Sequence, residues 1–353
     1  MAEFSTPTSA KLISRIHNAE FRTPVKTSAS PIEIPASPFL EKIGYGTGNA
    51  VYKLERSPKI GSVRSPWAIK KLVKKDISHI NNEQKNSLQL EATILRHLNH
   101  PNIVGFRAFT TGADGKPCLA MEAIEMSLGD MIEKRQETLE NEPFPAKDIV
   151  QVGFELAKGL KYLHHTVRLL HGDIKSWNVL VSHDFKVVKL CDFGTSLPLT
   201  ESLELDSSKT NFWYCGTRCW NPPEIINDDG PVTSAADIWT YGLVLWEMIS
   251  LTTPHVDEFD ESEFSDESIT DHSNLDDSTI NMNESGAFLK DIMPCENKKY
   301  GTRPPLPDID LGKEYERVLE VFFICTTADY KLRPSAKVLV NYFEKFINNK
   351  EKS

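Results

Sequence analysis

Nothing in this chain approaches the ~18 consecutive apolar residues of a membrane span. Its opening segment, MAEFSTPTSAKLISR, has no apolar core of the secretory-signal kind. Basic charge is in deficit: 40 Lys and Arg against 50 Asp and Glu leave a formal charge of -10. A general nucleic-acid binder, which needs a basic face to meet phosphates, is excluded on that ground. The six cysteines (Cys118, Cys191, Cys215, Cys219, Cys295 and Cys325) contain no CxxC pair. Cys215 and Cys219 make at most half a metal site, with no second pair of ligands at suitable spacing. Internal repeats are also lacking. These absences imply reduced thiols and an intracellular protein, cytoplasmic or nuclear, with no membrane partner.

What is present is unevenly placed. Eleven acidic residues and no Lys or Arg lie between Asp257 and Glu284, so this one stretch accounts for the whole charge excess. It reads as a solvated loop inside a helical region, with a docking element for a basic partner as the alternative. Residues 1–36 are polar and Pro-rich, which predicts a disordered tail. That tail holds Ser/Thr-Pro dipeptides, among them Thr6-Pro7 and Thr23-Pro24-Val25-Lys26. Thr23, and Thr6 second, resemble sites for a proline-directed mitotic kinase.

Beyond it, Phe39 to Leu54 predicts strand, glycine turn, strand, and Ser57 to Ser65 a hairpin loop. Trp67 to Leu72 predicts a further strand, and Asn86 to Leu98 a helix with Leu88, Ala92 and Leu95 on one face. From Ile149 the pattern is mostly helical, with Val179–Val181 and Val187–Leu190 as short strands and Leu243–Ile249 as a buried helix. The expected architecture is α+β: a β-rich part carrying one helix, then a larger helical part.

The turn Ile43-Gly44-Tyr45-Gly46-Thr47-Gly48-Asn49-Ala50-Val51 lets a backbone close over a triphosphate, its amides facing the oxygens. A dinucleotide-binding fold would place a helix straight after the glycines and an acidic residue about 20 positions on; strand residues follow here. Lys70, ending the strand Trp67-Ala68-Ile69-Lys70, fits the α- and β-phosphates, and Glu91 sits on the helix expected to face it. His171-Gly172-Asp173-Ile174-Lys175-Ser176-Trp177-Asn178 is followed by Asp192-Phe193-Gly194. Phosphoryl transfer needs a carboxylate for the hydroxyl proton, met by Asp173, and Mg²⁺ ligands, met by Asn178 and Asp192.

With these motifs in this order the chain resembles the eukaryotic protein kinase superfamily over about Phe39 to Ile347. The resemblance implies a two-lobed fold, with a kinase domain at 37–348, lobes at about 37–122 and 126–348, an acidic insert at about 256–290, and a tail at 349–353. It implies ATP and Mg²⁺ as cofactors, and an adenine pocket of Ile43, Val51, Ala68, Met121, Glu122 and Leu180 beneath Gly44, Gly46 and Gly48. It also implies an ion pair of Arg333 with Glu224. Lys175, which would stabilise charge on the transferred group, and Thr217 are family markers of Ser/Thr acceptors; Tyr acceptance stays open. The segments GYGTGN, SPWAIK, HPNIVGFRAFT, CLAME and HGDIKS, with an acidic insert before GTRPP, are similar to the PDZ-binding kinases, a MAP-kinase-kinase-like branch tied to dividing cells. That likeness implies protein substrates such as MAP kinases or histone tails.

Three departures stand out. Gly48 comes one position early, with Asn49 in the third glycine's place. Gly172 replaces an arginine that usually receives an activation-segment phosphate, so Thr200, Ser202, Ser207, Ser208 and Thr210 are weaker regulatory candidates than Thr6 and Thr23. The terminus Asn348-Asn349-Lys350-Glu351-Lys352-Ser353 lacks the apolar last residue a PDZ pocket requires, so no PDZ-domain partner is expected. A pseudokinase scaffold is the alternative function, but such proteins lose the lysine, the base or a metal ligand, and all are present here.

Overall fold

A computed structural model of the protein describes residues 40–46, 49–55, 66–72, 82–138, 142–255 and 299–350. The expectations for the amino-terminal tail with Thr6 and Thr23, for Gly48, for the hairpin loop near 57–65, for the acidic insert and for the last three residues lie outside them.

Five antiparallel strands form the first sheet: β1 (Glu41–Gly46), β2 (Asn49–Leu54), β3 (Trp67–Leu72), β4 (Phe106–Thr111) and β5 (Pro117–Glu122), in the order β1-β2-β3-β5-β4. Strand alternation assigns its two faces. Directly opposed partners put Val51, Lys70 and Leu119 on one face together with Ala68 and Met121. The other face carries Tyr52, Ile69 and Ala120, which pack with Leu40, Trp67 and Cys118. Helix α1 (Asn82–His97) packs on β4 and β5. Its buried stripe is Leu88, Glu91, Ala92 and Leu95, so a carboxylate sits at an apolar position of the helical period. Arg96 and His97 in its last turn complement the helix dipole.

The larger lobe is built from α2 (Leu128–Thr138), α3 (Ala146–Lys161), α4 (Pro223–Ile226), α5 (Ala235–Ser250), α6 (Glu316–Cys325) and α7 (Ala336–Lys350). Ile149, Val152, Leu156 and Leu160 give α3 a fully buried stripe, each side chain contributing about 1.5–3 kcal/mol. Helix α5 is buried from Ala236 through Ile249, as an element apolar on every side must be. Small sheets β6-β8-β9 (Met126–Ser127, Val179–Val181, Val188–Leu190) and β7-β10 (Leu169–Leu170, Leu197–Pro198) hold the loops between the lobes.

Several boundaries differ from the sequence reading. Helix α1 starts at Asn82 and not Asn86, α3 at Ala146 and not Ile149, and β9 at Val188. The added turns at the starts of α1 and α3 are short of apolar residues, so periodicity does not register them.

The expected pair of Arg333 and Glu224 is bidentate, both nitrogens lying 2.7 Å from a carboxylate oxygen in a site with almost no solvent exposure. Arg333 also donates to the carbonyls of Thr327, Ala328 and Ala235 and stacks over Trp239. Replacing Arg333 by Met strands a buried carboxylate, with an expected loss of about 3–5 kcal/mol. Urea denaturation measures it, and an unchanged midpoint would refute the pair's structural weight.

Candidate active site

Lys70 is carried to the cleft by β3, whose alternation points it away from the Trp67–Ile69 face. Its ammonium lies 2.9 Å from Glu91 Oε2 on α1 and 2.9 Å from Asp192 Oδ1. Burial alone would lower the lysine pKa, but Asp192 and Glu91 outweigh it and hold the ammonium above the ordinary lysine value. Burial pushes Glu91 up to about 7 against the pull of Lys70. Asp192 moves the other way: its burial cost is overcome by Lys70, which keeps its pKa below the usual carboxylate value. One cation thus serves two carboxylates from separate elements.

Asp192 has φ 65°, a left-handed conformation that Asp tolerates better than most residues. This turn separates two fates. The Asp192 side chain stays 42% exposed, while Phe193 is fully buried against the His171 ring. Gly172, at φ 83°, donates its N–H to Asp237 Oδ1 at 3.0 Å, and a Cβ there would meet Thr195 O at 2.9 Å. The close approach suits a residue with no side chain.

Asp173 is crowded with donors. Its Oδ1 accepts the Thr217 hydroxyl at 2.6 Å. Its Oδ2 lies 2.9 Å from Lys175 Nζ and 3.0 Å from Asn178 Nδ2. Lys175 also donates to Thr217 Oγ1 at 2.7 Å. Asn178 spends its amide hydrogens on Asp173 O and Oδ2, which leaves its carbonyl oxygen as the group free to ligate. With Asp192 it offers hard oxygen donors. Among the described residues no cluster of three or more His, Cys, Asp or Glu could hold a metal ion. An all-protein metal cage is therefore not what the site provides; a hard cation that takes most of its ligands from phosphate and water fits the donor set.

The remaining predicted residues lie on strands of the smaller lobe and on β8. Ala68 and Met121 face each other across β3 and β5, Val51 opposes Lys70, and Leu180 lies half-buried on β8. Ile43, Gly44 and Gly46 lie on β1, Ile43 exposed. Glu122 departs from the expectation. Its carboxylate pairs with Lys189 at 3.1 Å and accepts the Gly105 N–H at 3.0 Å, and its own N–H donates to Gly105 O at 2.8 Å. Thr200 and Ser202 share a hydroxyl hydrogen bond in the segment after β10. Cys215 and Cys219 are both free thiols.

Sequence reasoning missed two buried carboxylates. Asp237, at the start of α5, accepts the N–H groups of His171 at 2.8 Å and Gly172 at 3.0 Å, and lies 2.8 Å from His164 Nε2. Glu247, three turns on, accepts from Ser176 N–H and Oγ and from Trp220 Nε1. An acid inside an otherwise apolar helix was the available signal, since such a residue is rarely buried without a partner.

A model of the protein kinase domain matches residues 38–343. The chain is 42% identical over 327 residues to the human lymphokine-activated killer T-cell-originated protein kinase, covering 92% of this chain and 95% of that one. It is 32% identical over 227 residues to the Caenorhabditis elegans mitogen-activated protein kinase kinase kinase zak-1, covering 62% of this chain and 27% of the relative. The rat mitogen-activated protein kinase kinase kinase 12 is 35% identical over 163 residues, 46% of this chain and 17% of its own.

Burial pushes the Glu247 carboxyl from 4.5 up to about 7. Between those values the folded protein binds more protons than the unfolded chain, so this group's contribution to stability falls as pH rises through that window. Glu247→Gln should flatten the slope of unfolding free energy between pH 5 and about 7 relative to the parent. Identical slopes in urea titrations at three pH values would contradict it.

Proposed function

The chain belongs to the protein kinase domain family and is a serine/threonine protein kinase of the MAP-kinase-kinase-like kind, and on that premise we propose that the residues between its lobes divide the reaction as follows. The supporting observation is the Asp173 carboxylate, already accepting an aliphatic hydroxyl at 2.6 Å beside a lysine. An incoming Ser or Thr hydroxyl meets the same acceptor, which orients it and takes its proton. Lys175, reaching both Asp173 and Thr217, neutralises charge that develops next to that hydroxyl. Lys70, locked by Glu91 and Asp192, positions the phosphates of ATP, and the glycines of the β1–β2 turn bind them. Ile43, Val51, Ala68, Met121, Glu122 and Leu180 enclose the adenine.

The family uses ATP and a divalent metal. We assign the metal as Mg²⁺, with Asn178 and Asp192 as its protein ligands; when bound it supplies neutralising charge to the phosphates. No described helix is long and apolar enough to cross a membrane. We place the kinase domain at 37–348, with a regulatory tail at 1–36 and the insert at 256–290, in a cytoplasmic or nuclear protein. The proposed substrates are MAP kinases or histone tails, and a proline-directed mitotic kinase acting on Thr6 and Thr23 is the proposed upstream regulator, with Thr200 and Ser202 secondary.

Transfer of labelled phosphate from Mg-ATP to a panel of MAP kinases and histone tails tests the assignment. Asp173→Asn, which keeps the shape of the carboxylate, should lower the rate roughly 10²–10⁴-fold while ATP binding persists. Parent protein that binds ATP yet labels nothing would favour the scaffold.

A further inference from the structure

Two helix ends of the larger lobe bring basic residues together. Helix α3 ends at Lys161 and runs on as a π-helical turn, Tyr162–Val167, closed by Arg168 in a left-handed conformation. His165 stands four residues after Lys161, its neighbour one turn along the helix, and Arg168 follows three residues on. The start of α7 meets the same place. His164 lies 2.8 Å from Asp237 Oδ2, and Arg333, three residues before α7, donates to Ala235 O. Both anchors belong to the first turn of α5, so the end of α3 and the start of α7 converge there. Further along, Phe154 of α3 and Phe343 of α7 meet with ring centroids 5.9 Å apart. At about 1.5 Å of rise per residue, Lys161 and Lys337 stand about 10 Å and about 9 Å along their helices from that contact.

The charge of this group is not answered within the fold. Lys337 lies in the first turn of α7, which holds no acidic residue and where the helix dipole opposes a cation. Among the described residues neither Lys161 nor Lys337 makes an ion pair, and Arg168 donates to the His164 carbonyl at 3.4 Å. His165 is half-buried, and its Nε2 is shut off from solvent with no hydrogen-bond partner, a state that calls for an explanation in a folded protein. Burial pushes the imidazole pKa down, and the charges of His164, Arg168, Lys337 and Lys161 push it the same way. Lys337 is exposed and Lys161 and Arg168 are half-buried, so a ligand from solvent reaches them. An anion reverses each of these costs. A phosphate group, with a charge of about −1.5 to −2 at pH 7 and three acceptor oxygens, answers three permanent cations better than a carboxylate does.

We propose that Lys161, His165, Arg168 and Lys337 form a binding site for a phosphate group, either free or as the phosphomonoester of a protein side chain. The site uses none of the residues assigned to the cleft, so it stands apart from the kinase reading.

The test follows the His165 imidazole by NMR in the full chain, its signal assigned with His165→Gln. Titrations in sodium phosphate and in sodium chloride of equal ionic strength are compared. Phosphate should move the His165 midpoint up by about one pH unit, equivalent to about a 10-fold tighter hold on phosphate by the charged ring. The rise should vanish in Lys337→Gln and in Arg168→Gln. It should survive in Lys345→Gln, which removes one exposed charge from the same helix. Phosphate bound in the cleft leaves this signal unmoved. A peptide of residues 18–28 phosphorylated on Thr23 separates the two sources: binding tighter than that of inorganic phosphate supports a protein-borne ligand, and equal or weaker binding supports the free ion. Identical midpoints in phosphate and chloride overturn the proposal, as does a rise that persists in Lys337→Gln. If thermal melting shows Arg168→Gln unfolded, the exposed Lys337 decides alone.

Discussion

One buried carboxylate holds the catalytic loop in shape. Asp237 has no solvent exposure, yet it collects the backbone N–H groups of His171 and Gly172 and the imidazole of His164. Burying such a charge is costly unless donors meet it, and three groups at 2.8–3.0 Å cover both of its oxygens. The placement also uses the first turn of α5, where the helix dipole favours negative charge. The central helix is buried along its length, so the loop is referenced to an element of the larger lobe's core. Asp173 comes next in the chain after the two anchored amides.

A parallel logic joins the rest of the site. Glu247, further along the same helix, ties Ser176 of the loop to Trp220 of the segment that ends at Glu224. Thr217 connects that segment back to Asp173 and Lys175. Loop, segment and central helix thus form one hydrogen-bonded unit, while Lys70, Glu91 and Asp192 join the two lobes through a single ammonium.

The sequence disclosed the parts whose chemistry restricts both residue type and spacing. Lys70 meets Glu91 and Asp192, Asn178 meets Asp173, and the pair of Arg333 and Glu224 forms as the family resemblance implied. The three strands first expected in the smaller lobe appear within a residue or two. What stayed hidden has physical reasons. The hairpin of β4 and β5 has an irregular burial pattern on β4, although Asp114-Gly115, with Gly115 at φ 75°, marked its turn. The π-helical turn at Tyr162–Val167 and the left-handed Arg168 that ends it follow from tertiary packing and not from local propensity. Glu247 stands out as an acid in an apolar helix, but its partner Ser176 is 71 positions away, and the Glu122 carboxylate is drawn off by Lys189, a partner distant in the chain.

The Thr217 hydroxyl on Asp173 has a consequence for economy. Water outnumbers any protein hydroxyl in a cell and is a competent nucleophile wherever a base and a phosphate donor meet. In this site an idle base is already engaged: one oxygen holds Thr217 and the other is shared by Lys175 and Asn178. A stray water must displace an internal hydroxyl held at both ends, whereas a docked substrate brings its own hydroxyl with binding energy from the surrounding chain. On the proposed role of Asp173 as base, the same threonine that ties the segment to the loop also keeps the nucleotide from being spent on solvent.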